Sequence, residues 1–193
     1  MSRIDDVLQF WLEDTPESQW YRPADGLDDR LRALFAADWG RAAAGLLEGW
    51  RDTARGALAY IVLTDQFPRN MFRGRALSFA TDAQALNAAR AAIEAGHDTA
   101  TGGPGQQFFY MPFNHSENLA DQDRCVALTE RLGEAESLLH AEAHRRVIAD
   151  FGRFPFRNAA LGRLTTPQEQ AFLDGGGYAG LVERMKASHA GTA

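Results

Sequence analysis

Along most of the chain the apolar positions recur three and four residues apart, and sustained alternation of apolar and polar residues is almost absent. That period predicts helices throughout. Residues 5–13 make a short first helix, and a second begins near Asp28 with Leu31, Leu34, Phe35 and Trp39 on one stripe. A third, over 53–65, places Leu58, Ile61 and Asp65 on one face, which turns Asp65 inward. Thr81-Asp-Ala-Gln84 has the spacing of a capping box ahead of Ala85, Leu86, Ala89 and Ile93, and Gly96 suits the end of that helix. The glycines of 102–105 mark a loop, and a break is expected around Pro112. Helices follow over 118–132, closed by Gly133, and over 136–151, where Ala141, His144, Ile148 and Phe151 share a face, so His144 also turns inward. Thr166-Pro167-Gln168-Glu169 combines an N-cap, a proline at the first helical position and a capping glutamate. The helix it opens ends at the glycines of 175–177, and a last one covers 178–186. The fold class is all-α, about eight or nine helices stacked as antiparallel pairs through short connections. No repeat of about 34 residues stands out in the letters, so any repeat architecture is a degenerate one.

Length and hydrophobic content (193 residues, 45% hydrophobic) suit one helical domain, with a core over about 4–186 and a flexible tail over 187–193. A net charge of −6 argues against a general polyanion binder, so no nucleic-acid partner is expected. Lys186 is the one lysine among 20 basic residues, so an arginine is informative here only by its position and company. Cys125 stands alone, which excludes an internal disulfide and a cysteine-based metal cluster and fits a reducing, cytoplasmic setting. Neither a signal segment nor a membrane span is expected, since the longest apolar run is Ala57 to Leu63.

Four polar stretches carry candidate chemistry. In "DQFPRNMFRGR" Pro68 is expected to stop the helix and release Arg69, Asn70, Arg73 and Arg75 at its end. "FPFRN" repeats that theme, with Pro155 ahead of Arg157 and Asn158 in a region that also holds Arg153 and Arg163. Guanidinium forks from the two ends could clamp a carboxylate or phosphate, or pair with Asp65, Glu117 and Asp121 as a structural network. Counted over 65–75, 115–122 and 153–158, Arg69, Arg73, Arg75, Arg153 and Arg157 face Asp65, Glu117 and Asp121, a surplus of two positive charges. In "HSENLADQD" the nearness of His115, Glu117 and Asp121 suits acid-base work, and equally a Ser116 N-cap with His115 bonded to backbone. "HAEAH" sets His140 and His144 one helical turn apart, but Glu142 does not follow the first histidine as a zinc protease requires and no third ligand is recognisable. No metal or cofactor is expected.

The chain resembles a bacterial family catalogued as domain of unknown function 924. The resemblance is carried by "DQFPRNMFRGRALSFATD", "YMPFNHSENLADQ" and "FGRFPFRNAALGR". It implies a superhelical fold like tetratricopeptide repeats and no established activity. The family's polar motif positions fall on Asp65, Gln66, Arg69, Asn70, Arg73, His115, Ser116, Glu117, Asp121, Gln122, His144, Arg153, Arg157 and Asn158. Asn114 stands where the family pattern has an apolar residue, and Asn118 where it has aspartate.

Three functions follow as expectations. The first is a pocket for a small anion, with Asp65, Gln66, Arg69, Asn70, Arg73, Asp121, Gln122, His144, Arg153, Arg157 and Asn158 as binding residues. The second is an enzyme in which His115 and Glu117 do acid-base catalysis with arginine stabilisation. The third is a helical scaffold that grips a peptide tail.

Overall fold

A computed structural model describes residues 2–21 and 26–190 of the protein, with the backbone alone at 189 and 190. The chain packs as two compact units, Met1–Pro112 and Phe113–Ala193. Among the described residues all regular structure is helical, and no helix is long and apolar enough to cross a membrane.

In the first unit, α1 (Arg3–Leu8) is opened by a Ser2/Asp5 capping box and widens into a π turn over Gln9–Glu13. The second helix, α2 (Leu27–Ala43), buries Leu27, Leu31, Phe35 and Ala42. Leu34, expected on that stripe, is 50% exposed. The buried line climbs by four, three and four residues through Leu31, Phe35, Asp38 and Ala42, which leaves position 34 on the flank.

Helix α3 (Ala54–Ile61), N-capped by Thr53, passes directly into a π turn over Val62–Gln66 and then into α4 (Phe67–Met71). Pro68 therefore does not stop the helix, contrary to the sequence reading. In α register the carbonyl of Thr64 would receive the N–H of residue 68, which proline lacks, and the widened turn accommodates the ring. The Thr64 oxygen instead accepts the Thr81 hydroxyl at 2.5 Å.

That bond explains a second difference. Thr81 precedes α5 (Asp82–Glu94) as expected, but forms no capping box. Its hydroxyl is committed to Thr64 and to the Trp39 Nε1–H at 3.1 Å, while the Gln84 amide reaches the carbonyl of Ala43 at 3.2 Å. After α6 (His97–Thr101) a 3-10 stretch, Gly103–Phe109, leads to the turn at Tyr110. The unit closes around fully buried Trp11, Phe67 and Phe108, with edge contacts from Trp11 to the other two at 5.6 and 6.0 Å.

The boundary between the units falls within α7 (Met111–Asn114), whose first turn contains Pro112, so the break expected there lies instead at Tyr110 and at 115–118. Helices α8 (Leu119–Glu130) and α9 (Ala135–Phe151), joined by residues 131–134, form an antiparallel hairpin against which α11 (Gly177–Ala190) packs. Leu139 and Ala143 meet Val182 there, and Val147, Ile148 and Phe154 form a second buried group. The capping box at Thr166 is present and opens α10 (Pro167–Asp174). The last helix runs past the expected 186 to Ala190, and 191–193 of the expected tail lie outside the described residues.

Pro155, like Pro68, does not end a helix. Gly152, at φ 69°, has already ended α9 with a left-handed cap, and Pro155 opens a 3-10 turn over Pro155–Arg157. Each proline thus lies in the first turn of a helical segment, α4 or the 3-10 turn, and is followed by an arginine and an asparagine.

Candidate functional site

In the first unit, the segment from Asp65 to Arg73 is densely bonded to its surroundings. Asp65 is fully buried; its Oδ2 accepts the Gln66 amide at 2.5 Å, and its Oδ1 lies 3.2 Å from Arg69 Nη1. Arg69 also donates to the Asp65 carbonyl at 2.5 Å and to Asp82 Oδ1 at 2.9 Å. Asn70 donates to the Gln66 carbonyl at 3.1 Å and accepts from Arg73 at 2.8 Å, and Arg73 forks onto both oxygens of Asp28 at 3.1 Å. Asp28 and Asp82 lie outside the sequence segment and change its charge balance.

In the second unit, four successive carbonyls are held by two side chains. The Gln122 amide nitrogen lies 3.2, 2.9 and 2.7 Å from the oxygens of Phe113, Asn114 and Ser116, and Arg157 Nη2 donates to that of His115 at 3.0 Å. Asp121, buried, accepts the Ser116 hydroxyl at 2.7 Å. The backbone at His115 is therefore fixed by α8 on one side and by the Pro155–Arg157 turn on the other.

Beside this turn sit two carboxylate clamps. Glu117 takes the Arg163 fork at 2.7 and 3.0 Å and the Phe154 N–H at 2.8 Å. Burial alone would raise its carboxyl, but the Arg163 fork, the Phe154 amide and the charges of Arg163 and Arg157 outweigh it and hold the group below the usual range. Arg163 further donates to Asn158 Oδ1 at 3.0 Å. Arg153 forks onto Glu169 at 2.6 and 2.9 Å, and Asn158 Nδ2 reaches the same carboxylate at 3.3 Å. The Arg153 fork and the Thr166 amide hold Glu169 at about 2. The surplus of positive charge counted from the sequence thus meets Glu169 as well as Asp28 and Asp82, while Arg163 adds a further cation.

The third group is aromatic. His144, partly buried on α9, lies 4.4 Å from Tyr178, 5.4 Å from Phe154 and 6.5 Å from His115 between ring centroids. Arg157, 6% exposed, stacks 4.5 Å over the same Phe154 ring. His144 Nδ1 faces the His140 carbonyl at 2.9 Å, and His140 Nδ1 faces the Tyr178 hydroxyl at 2.6 Å. Burial, with His115, Arg157 and His140 all opposing a further positive charge, lowers His144 to about 3, so the ring is neutral at pH 7. Burial likewise raises the Tyr178 phenol and pushes the Cys125 thiol up to about 12, which leaves Cys125 without a reactive thiolate. Among the described residues no three His, Cys, Asp or Glu side chains gather as a metal site.

Residues 7–177 match the family described as bacterial protein of unknown function, DUF924. The chain belongs to the DUF924 family. A solved structure of a protein of unknown function from Agrobacterium tumefaciens is 40% identical, with a TM-score of 0.84 over 88% of this chain and 96% of that one. Among curated proteins none matches.

The two asparagines at which the resemblance implied other residues have different surroundings. Asn118 N-caps α8, its side-chain oxygen accepting the Ala120 N–H at 2.9 Å, a role that aspartate fills equally well. Asn114 is 6% exposed, and its amide oxygen is buried with no donor among the described residues, as expected where an apolar side chain would fit better. Sequence reasoning missed Glu169 and Tyr178. Glu169 had been read only as a helix cap, and Tyr178 only as the start of the last helix.

Proposed function

We propose that the second unit of this DUF924 protein binds a small anion, a carboxylate or phosphate, against His115, His144 and Arg157. The observation that carries this reading is the company of His144. A neutral imidazole and a stacked guanidinium share the Phe154 ring, and every charged or titratable group acting on the imidazole disfavours a second positive charge there. An anion would relieve that field, and the Phe154 platform removes it from competing water. The Arg153–Glu169 and Arg163–Glu117 clamps would then serve to hold the turn that presents Arg157. A tetratricopeptide-like superhelix belongs to the same proposal, supported by the α8–α9 hairpin with α11 laid against it.

An acid-base enzyme is the second reading, favoured by the fixed orientation of His144. In it the imidazoles act on the substrate. Glu117, with both oxygens engaged and its carboxyl held ionised, positions the turn.

The test is thermal denaturation in the presence of acetate, citrate, inorganic phosphate, glycerol 3-phosphate and a peptide with a free C-terminus. A ligand at 100 times its Kd adds about 2.7 kcal/mol of stability. Arg157→Ala should remove about 1.5–3 kcal/mol of that ligand-induced gain, the range for hydrogen bonds to charged groups, while helical content by circular dichroism is retained. Stabilisation by none of the anions, or stabilisation that survives both Arg157→Ala and His144→Ala, would sink the proposal. A response to the peptide alone would replace it with the scaffold reading.

A further inference from the structure

The last helix is thinly attached. Among the described residues of α11, Val182 is the apolar side chain that is fully buried, meeting Leu139 and Ala143 of α9, with Tyr178, Leu181 and Met185 half-buried around it. Lys186 lies 3.6 Å from Glu136 of α9, but both side chains stand largely in water, where such a pair adds little. A more sheltered contact joins His140 Nδ1 and the Tyr178 hydroxyl at 2.6 Å. An element with few buried apolar contacts opens more easily than the core it lies on, and a helix of 14 residues is marginal once it has left that core. The connection to α10 yields as well. Gly175, Gly176 and Gly177 follow one another, the last two at φ 92° and 55°, a region that glycine enters without steric cost.

The surface on which Tyr178 rests is titratable. Its ring centroid lies 4.4 Å from that of His144 and 5.9 Å from that of His140. A carbonyl oxygen only accepts, so His144 Nδ1 donates to the His140 carbonyl at 2.9 Å, and a second proton makes the ring a cation. The groups facing that ring are His140 on α9 itself, His115 from the turn after α7, Arg157 from the Pro155–Arg157 turn and Tyr178 from α11. Burial opposes the charge first, and Arg157 and the two other imidazoles oppose it further. His140 is faced by Glu136, which favours a charge on it, and by Lys186 and Tyr178 of α11; burial and Lys186 oppose the charge. Moving α11 away takes Tyr178 off one imidazole and Lys186 off the other, and lets water reach both. We infer that α11 is an acid-released latch, swinging off α9 on the glycines of 175–177 as His144 takes up a proton. The docked helix holds the neutral ring and the undocked one admits the charged ring, so undocking gains as pH falls below about 6.5. The latch stands whether or not an anion binds beside His144.

Hydrogen exchange on the full chain at pH 7 and pH 5 is the experiment. Expressed as protection factors, in which the intrinsic pH dependence of exchange cancels, it reads the opening of each helix separately. A ring returned entirely to its ordinary value on undocking would make α11 open about 25 times more often at pH 5 than at pH 7. Phe154, His115 and Arg157 are not part of α11 and stay beside the ring, so the amides of 181–188 should lose protection by at least about fivefold while those of α8 change by less than about twofold. His144→Phe, which cannot take up a proton, should hold the change over 181–188 below about twofold. If that variant does not fold, the unmodified protein still decides. Equal protection of 181–188 at the two pH values, or a parallel loss in α8 and α11, would overturn the latch, and so would a loss that persists in full in His144→Phe.

Discussion

The Thr81 hydroxyl donates to the carbonyl oxygen of Thr64 at 2.5 Å, supplying the hydrogen bond that Pro68 cannot. A side chain 17 residues away thus completes a helix that a proline interrupts. Thr81→Val should cost about 1–3 kcal/mol, because it leaves the Thr64 oxygen and the Trp39 N–H without their partner. Pro68→Ala returns an N–H to position 68, so the cost of Thr81→Val should shrink in that background by about 1 kcal/mol. Equilibrium urea denaturation of the two single variants and the double variant measures this, and strictly additive effects would refute the shared role.

Glu169 makes stability depend on acid. Its carboxyl sits at about 2 in the fold against 4.5 when unperturbed, so the unfolded chain binds more protons between those values. Its contribution is complete above about pH 4.5 and is lost as pH falls toward 2. Glu169→Gln should therefore destabilise the protein at pH 6 and make progressively less difference below pH 4. Denaturant midpoints for both proteins at pH 6, 4 and 3 test it; a gap that stays constant would mean the carboxylate is not held by Arg153.

His144 acts in a higher window. The folded ring stays neutral down to about 3, whereas the unfolded imidazole titrates near 6.5, so stability is present above 6.5 and declines as pH falls toward 3. In His144→Phe that part of the decline is absent. Comparing unfolding free energies at pH 7 and pH 5 should show a smaller drop for the variant than for the parent protein.

Asn114 is a site for stabilisation. Its buried amide oxygen has no donor among the described residues, and orphans of this kind cost about 1–3 kcal/mol. Asn114→Leu, which removes that oxygen, should raise stability by about 1 kcal/mol, read as an upward shift in Tm. A drop of similar size would show that the cavity shape suits only the amide.

What the sequence made legible were features decided by neighbours along the chain. The Thr166 box, the helix over 135–151 and the inward phase of Asp65 all follow from residues within a turn or two. Thr81 shows the opposite case, where the spacing of a capping box was present but a distant carbonyl outbid the local amide for its hydroxyl. Pro68 was misread for a related reason, since the rule that proline ends a helix assumes α geometry on both sides and the π turn before it removes that assumption. The charge balance was out of reach of segment counting. Arg73 finds Asp28, Arg153 finds Glu169 and Glu117 finds Arg163 at separations of 45, 16 and 46 residues. His115 and Glu117 were found as a pair of interest, yet their different situations, one on a bonded backbone turn and one inside an arginine fork, depend on residues that meet them only in the fold.

A π turn is, in register terms, an α-helix carrying one extra residue. Removing a single residue from the 62–66 segment would therefore tighten it to α geometry and leave the side chains beyond it facing as they do now. Tightening the turn with all its residues kept would instead rotate everything downstream by about 100°, the angle one residue subtends in an α-helix. Arg69 would swing away from Asp82, and the side chains of Phe67 and Met71 would leave the core they now fill. The widened turn works as a phase adjuster: it lets one rod of sequence present one face to the core before residue 62 and another after residue 66.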